Sequence, residues 1–136
     1  MPFKHQLTSL GLLVLRVAIG CLMLVHGLQK ISNFETLKTQ FPDPLGMGNQ
    51  LSLMSAIGAE AGCSALLILG LGTRLAAIPL AFTMMVAFFI VHAKDPWNVK
   101  ELACAYLFVY ITLILTGPGS FSLDHLWTKR KSSSPN

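Results

Sequence analysis

Two ionisable residues interrupt apolar runs of this 136-residue chain: Arg16, in Leu12-Leu13-Val14-Leu15-Arg16-Val17-Ala18-Ile19, and Glu60, in Ala56-Ile57-Gly58-Ala59-Glu60-Ala61. A charge at mid-bilayer costs about 2.5–3.5 kcal/mol on insertion scales, so such residues are functional suspects. Arg16 falls nine residues into the first apolar segment, roughly 13 Å deep at about 1.5 Å per residue. Glu60 falls midway along the second. One cation and one anion at comparable depth on antiparallel helices predict an Arg16–Glu60 ion pair. Such a pair fixes helix register. A buried carboxylate beside a basic group is also a tunable proton site, so Glu60 is equally a candidate for a pocket handling a proton or a quinone-like head group.

A second polar set belongs to one membrane boundary. His26 and Lys30 lie one helical turn apart near the end of the first segment, His92, Lys94 and Asp95 end the third, and Glu101 begins the fourth. Individually these residues suit interfacial hydrogen bonding; together they suit the mouth of a site for a polar head group. The histidines and carboxylates lack the His-x-x-x-His or Glu-x-x-His spacing of helical metal sites, and no metal is expected. No nucleophile elbow, phosphate loop, dinucleotide fingerprint or haem attachment motif is present, so no catalytic residue is assigned. Cys21, Cys63 and Cys104 sit inside apolar runs without a Cys-x-x-Cys pair and read as small apolar residues at helix contacts.

The elements that must position these groups are membrane helices. The chain is 53% hydrophobic and 12% charged, with a mean hydropathy of +0.61. A soluble domain carries roughly 25% charged residues. The net charge of +4 does not point to nucleic acid, because the basic residues are scattered apart from Lys129-Arg130-Lys131 beside a helix end. Four helices are predicted, over about 7–30, 51–71, 73–93 and 99–116, each near the roughly 20 residues that cross the hydrocarbon core. The fold class is therefore all-α, an integral membrane four-helix bundle in a single domain over residues 1–136. Arg16 and the continuation Leu22-Met23-Leu24-Val25 argue that the first segment is a retained helix rather than a cleaved signal.

Gly70-Leu71-Gly72-Thr73 makes the second and third helices a tight hairpin, and Pro79 is expected to bend the third slightly. In the first loop, Ser32 and Glu35 fit a capping box opening a short interfacial helix, ended by Pro42-Asp43-Pro44 and a flexible Gly46-Met47-Gly48-Asn49. A short C-terminal helix follows Ser122. Arg16, Gly20, Met23, Gly27 and Lys30 share one stripe of the first helix, and Ala56, Glu60, Ser64 and Leu67 form a matching stripe on the second. Lys4, Arg74, Lys129, Arg130 and Lys131 on one side outweigh Lys30, Lys38, Lys94 and Lys100 on the other, which places both termini in the cytoplasm.

Leu15-Arg16-Val17-Ala18-Ile19-Gly20 with His26-Gly27-Leu28-Gln29-Lys30 resembles the first-helix signature of the DoxX family. Glu60-Ala61-Gly62 with Gly70-Leu71-Gly72-Thr73-Arg74 resembles its hairpin, and Glu101-Leu102-Ala103 with Gly117-Pro118-Gly119-Ser120-Phe121-Ser122-Leu123-Asp124 resembles its end. The likeness covers about residues 10 to 127. It implies a bacterial inner-membrane bundle related to the membrane subunit of thiosulfate:quinone oxidoreductase and to membrane partners of thiol-stress enzymes. By matching position it carries over Arg16, His26, Lys30, Glu60, Arg74, Glu101 and Asp124.

The expectation is thus a membrane subunit of a quinone-linked redox or thiol/sulfur-oxidation complex, without a covalently bound cofactor, whose redox domain a protein partner supplies. The alternatives are a non-catalytic scaffold, assembly or chaperone-like protein, and a small transporter component, which would need an oligomer. Glycine-rich faces suit self-association and intramolecular packing equally.

Overall fold

The computed structural model describes residues 2–133. Its helices are α1 (Pro2–Ser32), α2 (Phe34–Leu37), α3 (Asn49–Leu69), α4 (Thr73–Val91), α5 (Trp97–Thr116) and α6 (Leu123–Ser132). Among the described residues, α1, α3, α4 and α5 are long and apolar enough to span a bilayer. Their outer surface carries large apolar side chains such as Leu75, Phe89, Phe108 and Leu115, all more than 60% exposed. Water would penalise that surface, whereas lipid matches it. Helices are the form in which a spanning segment satisfies its own backbone.

The predicted stripes are the buried faces. Arg16, Gly20, Met23 and Gly27 of α1 face Ala56, Glu60, Ser64 and Leu67 of α3. The two helices approach closely because two positions lack a side chain. A Cβ on Gly27 would lie 2.6 Å from the Ala61 amide nitrogen, and one on Gly20 would lie 2.7 Å from Ile68 Cγ1. On the other side of the bundle, Tyr106, Tyr110 and Leu113 of α5 fill the core against Ala76, Ala77 and Leu80 of α4. Glu101, Phe108 and Thr112 face outward, and the Thr112 hydroxyl donates to the Phe108 carbonyl at 2.8 Å.

The α3–α4 hairpin is tight, as its glycines require. Gly70 (φ 70°) and Gly72 (φ 57°) both adopt left-handed conformations. The Leu71 amide donates to the Leu66 carbonyl at 3.0 Å and the Gly70 amide to that of Leu67 at 3.1 Å, a Schellman end. Near this turn the two helices pack together; towards the other boundary they spread, so that residues 49–57 of α3 stand largely apart from α4.

Four features differ from the sequence reading. Both α3 and α4 contain a π-helical stretch, Gly58–Cys63 around Glu60 and Ala87–Val91 before His92. Helical spacing alone carries no clear sign of them, since a π turn shifts the helical phase by one residue and these runs are apolar at nearly every position. The Ser32 capping box does not form, because α1 runs through Ser32 and Glu35 bonds Lys38 at 2.6 Å instead. The Gly46–Asn49 stretch is fastened rather than flexible: Asp43 accepts hydrogen bonds from the Met47 and Gly48 amides, both at 2.8 Å, and from the Ser52 hydroxyl at 2.9 Å. Finally, α1 has 31 residues against 21 in α3. At about 1.5 Å per residue it is some 15 Å longer.

Candidate functional site

Polar groups inside the bundle gather in two places, one at each end. At the hairpin end, the Arg16 side chain is almost wholly buried. Its Nη1 donates to the Pro118 carbonyl at 2.6 Å and its Nη2 to the Phe121 carbonyl at 2.8 Å. Asp124, whose charge opposes that of Arg16, accepts from the Gly72 amide at 2.7 Å and the Thr73 amide at 3.0 Å. It thereby caps the start of α4 from a position in the first turn of α6, where Ser122 accepts from the His125 amide at 3.2 Å. Arg74 is exposed. Its guanidinium lies over Gly117, where an added Cβ would come 3.1 Å from Nε, and it reaches the Leu115 carbonyl at 3.4 Å. This cluster ties the segment after α5 to the hairpin and is structural.

The expected Arg16–Glu60 pair does not form. Packing sets Gly27 opposite Ala61, Gly20 opposite Ser64 and Ile68, and Arg16 opposite Gly70. Glu60 is therefore level with the far end of α1, about 16 Å from Arg16 along the helix axis. Depth counted from the start of the first apolar run misplaces Arg16, because α1 extends beyond the hairpin turn. Arg16 sits at that turn, and the partner of Glu60 is Lys30, with Nζ and Oε2 2.5 Å apart. The Glu60 carboxyl is buried and Lys30 is partly exposed.

The pair lies on the wall of a cavity of about 660 Å³ in the splayed end of the bundle. Most of its surface is apolar, with Met23, Ala59, Phe82 and Leu102 among the contributors. Its polar groups are Lys30, Glu60, His26, Tyr106, His92 and the hydroxyls of Ser52, Ser55 and Thr83. The His26 and Tyr106 rings meet edge to face at 6.2 Å. The loop fastened by Asp43 contributes Phe41, Pro44, Leu45 and Met47 to the outer wall. Hydrogen bonds to Asp43, that of the Gly48 amide foremost, hold its carboxyl below the usual carboxylate range.

Of the sequence candidates, the structure thus brings together His26, Lys30, Glu60 and His92, with His92 Nδ1 2.6 Å from Asp95. It leaves out Arg16, and also Glu101 and Lys94, which are exposed and outside the cavity lining. Lys100 donates to the Ala93 carbonyl at 3.2 Å. Gly20 and Gly27 serve helix contact. Cys63 and Cys104 are half-buried, Cys21 is exposed, and all three are free thiols. Sequence reasoning missed Tyr106, which reads as one more aromatic of an apolar helix. The signal that singles it out is its place one face away from Glu101, on the buried side.

The DoxX family model matches residues 11–93, which include α3, α4 and all of α1 that packs against α3. This chain belongs to the DoxX family. Similar proteins cover nearly its full length. A Bacillus subtilis (strain 168) protein named "Putative oxidoreductase CatD" is 32% identical over 92% of this chain and 92% of its own. An uncharacterized Haemophilus influenzae protein is 30% identical over 90% of this chain and 86% of its own. An uncharacterized membrane protein of Mycobacterium tuberculosis is 28% identical over 90% of this chain and 85% of its own. No solved structure matches the DoxX chain significantly.

Proposed function

We propose that this DoxX-family membrane protein is the membrane subunit of a quinone-linked redox complex, working with a protein partner that carries the redox domain. The observation that carries the reading is the cavity: about 660 Å³, apolar, and edged on one wall by Lys30, Glu60, His26 and Tyr106. Ligand sites have this make-up, a largely apolar pocket of about 300–1,000 Å³ with a few convergent polar groups. The donor set fits a quinone head group, since Lys30, His26 and Tyr106 offer N–H or O–H groups to carbonyl oxygens. A bound quinone supplies a lipid-soluble acceptor of electrons and protons. The chain's own part is to bind and orient the ring, to exclude water with the Asp43-fastened loop, and to hold an exchangeable proton between Glu60 Oε2 and Lys30 Nζ. The oxidoreductase name of the Bacillus relative agrees with a redox setting. In a bacterial inner membrane, the Lys and Arg distribution favours an orientation with both termini in the cytoplasm.

A scaffold reading rests on the same pair: Lys30–Glu60 locks α1 to α3 whether or not a ligand enters. Purification in mild detergent, lipid extraction and mass spectrometry of quinone per protein separate the two, with Glu60→Gln alongside. Near-stoichiometric quinone that falls in the variant supports the redox subunit. Absence of quinone from both proteins, with the fold intact, leaves the scaffold.

A further inference from the structure

The longer reach of α1 has a second aspect. Arg16 is level with the hairpin turn at Gly70, so residues 2–15 project beyond the end of the α3–α4 hairpin. Phe3, Leu7, Leu10 and Val14 in this projection recur at three- and four-residue spacing, hence on one face. Each is about half exposed or more. That stripe continues along α1 through Ala18, Cys21, Val25 and Leu28, all exposed on the lipid side of the bundle.

The segment after α5 folds back beside the projection. Ser9 Oγ bonds the Ser120 hydroxyl at 3.1 Å and accepts from the Ser120 amide at 3.2 Å, and Gly119 lies against Leu12. The α6 helix that follows exposes Leu123, Leu126 and Trp127, again on one face, with Trp127 63% exposed. The Lys and Arg residues of these two segments are Lys4, Lys129, Arg130 and Lys131. The acid among residues 2–15 and 117–133 is Asp124, which is already engaged by Gly72 and Thr73. Its bonds to α4 also fix where α6 begins.

We propose that the projecting part of α1 and α6 form a single amphipathic platform that seats in the headgroup layer of an anionic phospholipid leaflet. Two features favour lipid over a protein partner. The apolar stripe of α1 is continuous with the bundle's lipid-facing surface, and the charges of the two segments, the engaged Asp124 apart, are basic, as anionic headgroups require. Leu123, Leu126 and Trp127 enter the acyl boundary, and Lys129, Arg130 and Lys131 meet phosphates. Trp127 has the amphipathic ring that favours this depth.

The test uses the full chain carrying Trp97→Phe, so that Trp127 is the one tryptophan. It is placed in nanodiscs of phosphatidylcholine alone or with about one third phosphatidylglycerol. The expected result is a shift of Trp127 emission to shorter wavelength in the anionic discs, with quenching by lipids brominated near the headgroup. Removing each basic residue weakens the attraction about fivefold. Lys129→Gln, Arg130→Gln and Lys131→Gln together should therefore abolish the shift, leaving the bundle's melting temperature unchanged, and high salt should diminish it. Equal, water-accessible emission in both discs overturns the proposal, and points to a soluble acidic protein as occupant. Strong quenching in neutral lipid that the triple variant does not change overturns the electrostatic part.

Discussion

Lys30 Nζ lies 2.5 Å from Glu60 Oε2, joining the last turns of α1 to a π-helical stretch of α3 at the edge of the cavity. Breaking a buried pair by removing one partner leaves an uncompensated charge and costs about 3–5 kcal/mol, less where one partner keeps contact with solvent. Lys30 is 21% exposed, so Glu60→Gln should fall at or below the lower end of that range. Replacing both by Met should recover most of the loss, because the isolated charge is then gone. Thermal unfolding of the three variants in one detergent checks this, and a double variant no better than Glu60→Gln would refute it.

The two glycines of α1 should differ in tolerance. At Gly27 an added methyl meets the Ala61 backbone, which cannot step aside, whereas at Gly20 the nearest atom belongs to the Ile68 side chain. Overpacking costs about 1–3 kcal/mol. Gly27→Ala is expected at the upper end and Gly20→Ala at the lower, and Gly27→Ala should also loosen the Lys30–Glu60 contact. Melting temperatures of the single variants give the order.

Arg16 acts through carbonyls of the segment after α5, and its two donors point in different directions. Hydrogen bonds from charged groups contribute about 1.5–3 kcal/mol each. Arg16→Lys can satisfy one of the two and should release residues 117–133 to proteolysis, with the four-helix core still folded. Limited digestion followed by mass spectrometry reports which bonds are cut; unchanged protection of that segment would contradict the assignment.

The Asp43 loop should respond to acid. Its carboxyl is held below the usual range in the folded loop, so its contribution is present above the usual carboxylate value and is lost as pH falls below it. Protection of the Met47 and Gly48 amides from hydrogen exchange, taken against the intrinsic rate at each pH, should persist at neutral pH and be lost only in strong acid. Asp43→Asn should show reduced protection at every pH, since the amide replaces one of the accepting oxygens by a donor.

The sequence by itself determined the number of spans, their lipid-facing and inward faces, and the tight hairpin. Apolar length, helical spacing and left-handed glycines are local properties that the chain carries without reference to a partner. It also singled out Glu60, Lys30, His26 and His92, because ionisable groups are rare in such segments. Which charge meets which was decided only by tertiary structure. The backbone contact at Gly27 and Ala61 sets the offset of α1 against α3, and an offset of this kind cannot be read from either helix alone. The same offset turns Arg16 into an anchor for the C-terminal segment and lets α1 project past the hairpin. The cavity likewise depends on the spreading of α3 from α4 and on a loop fastened by Asp43, both products of contacts between distant residues.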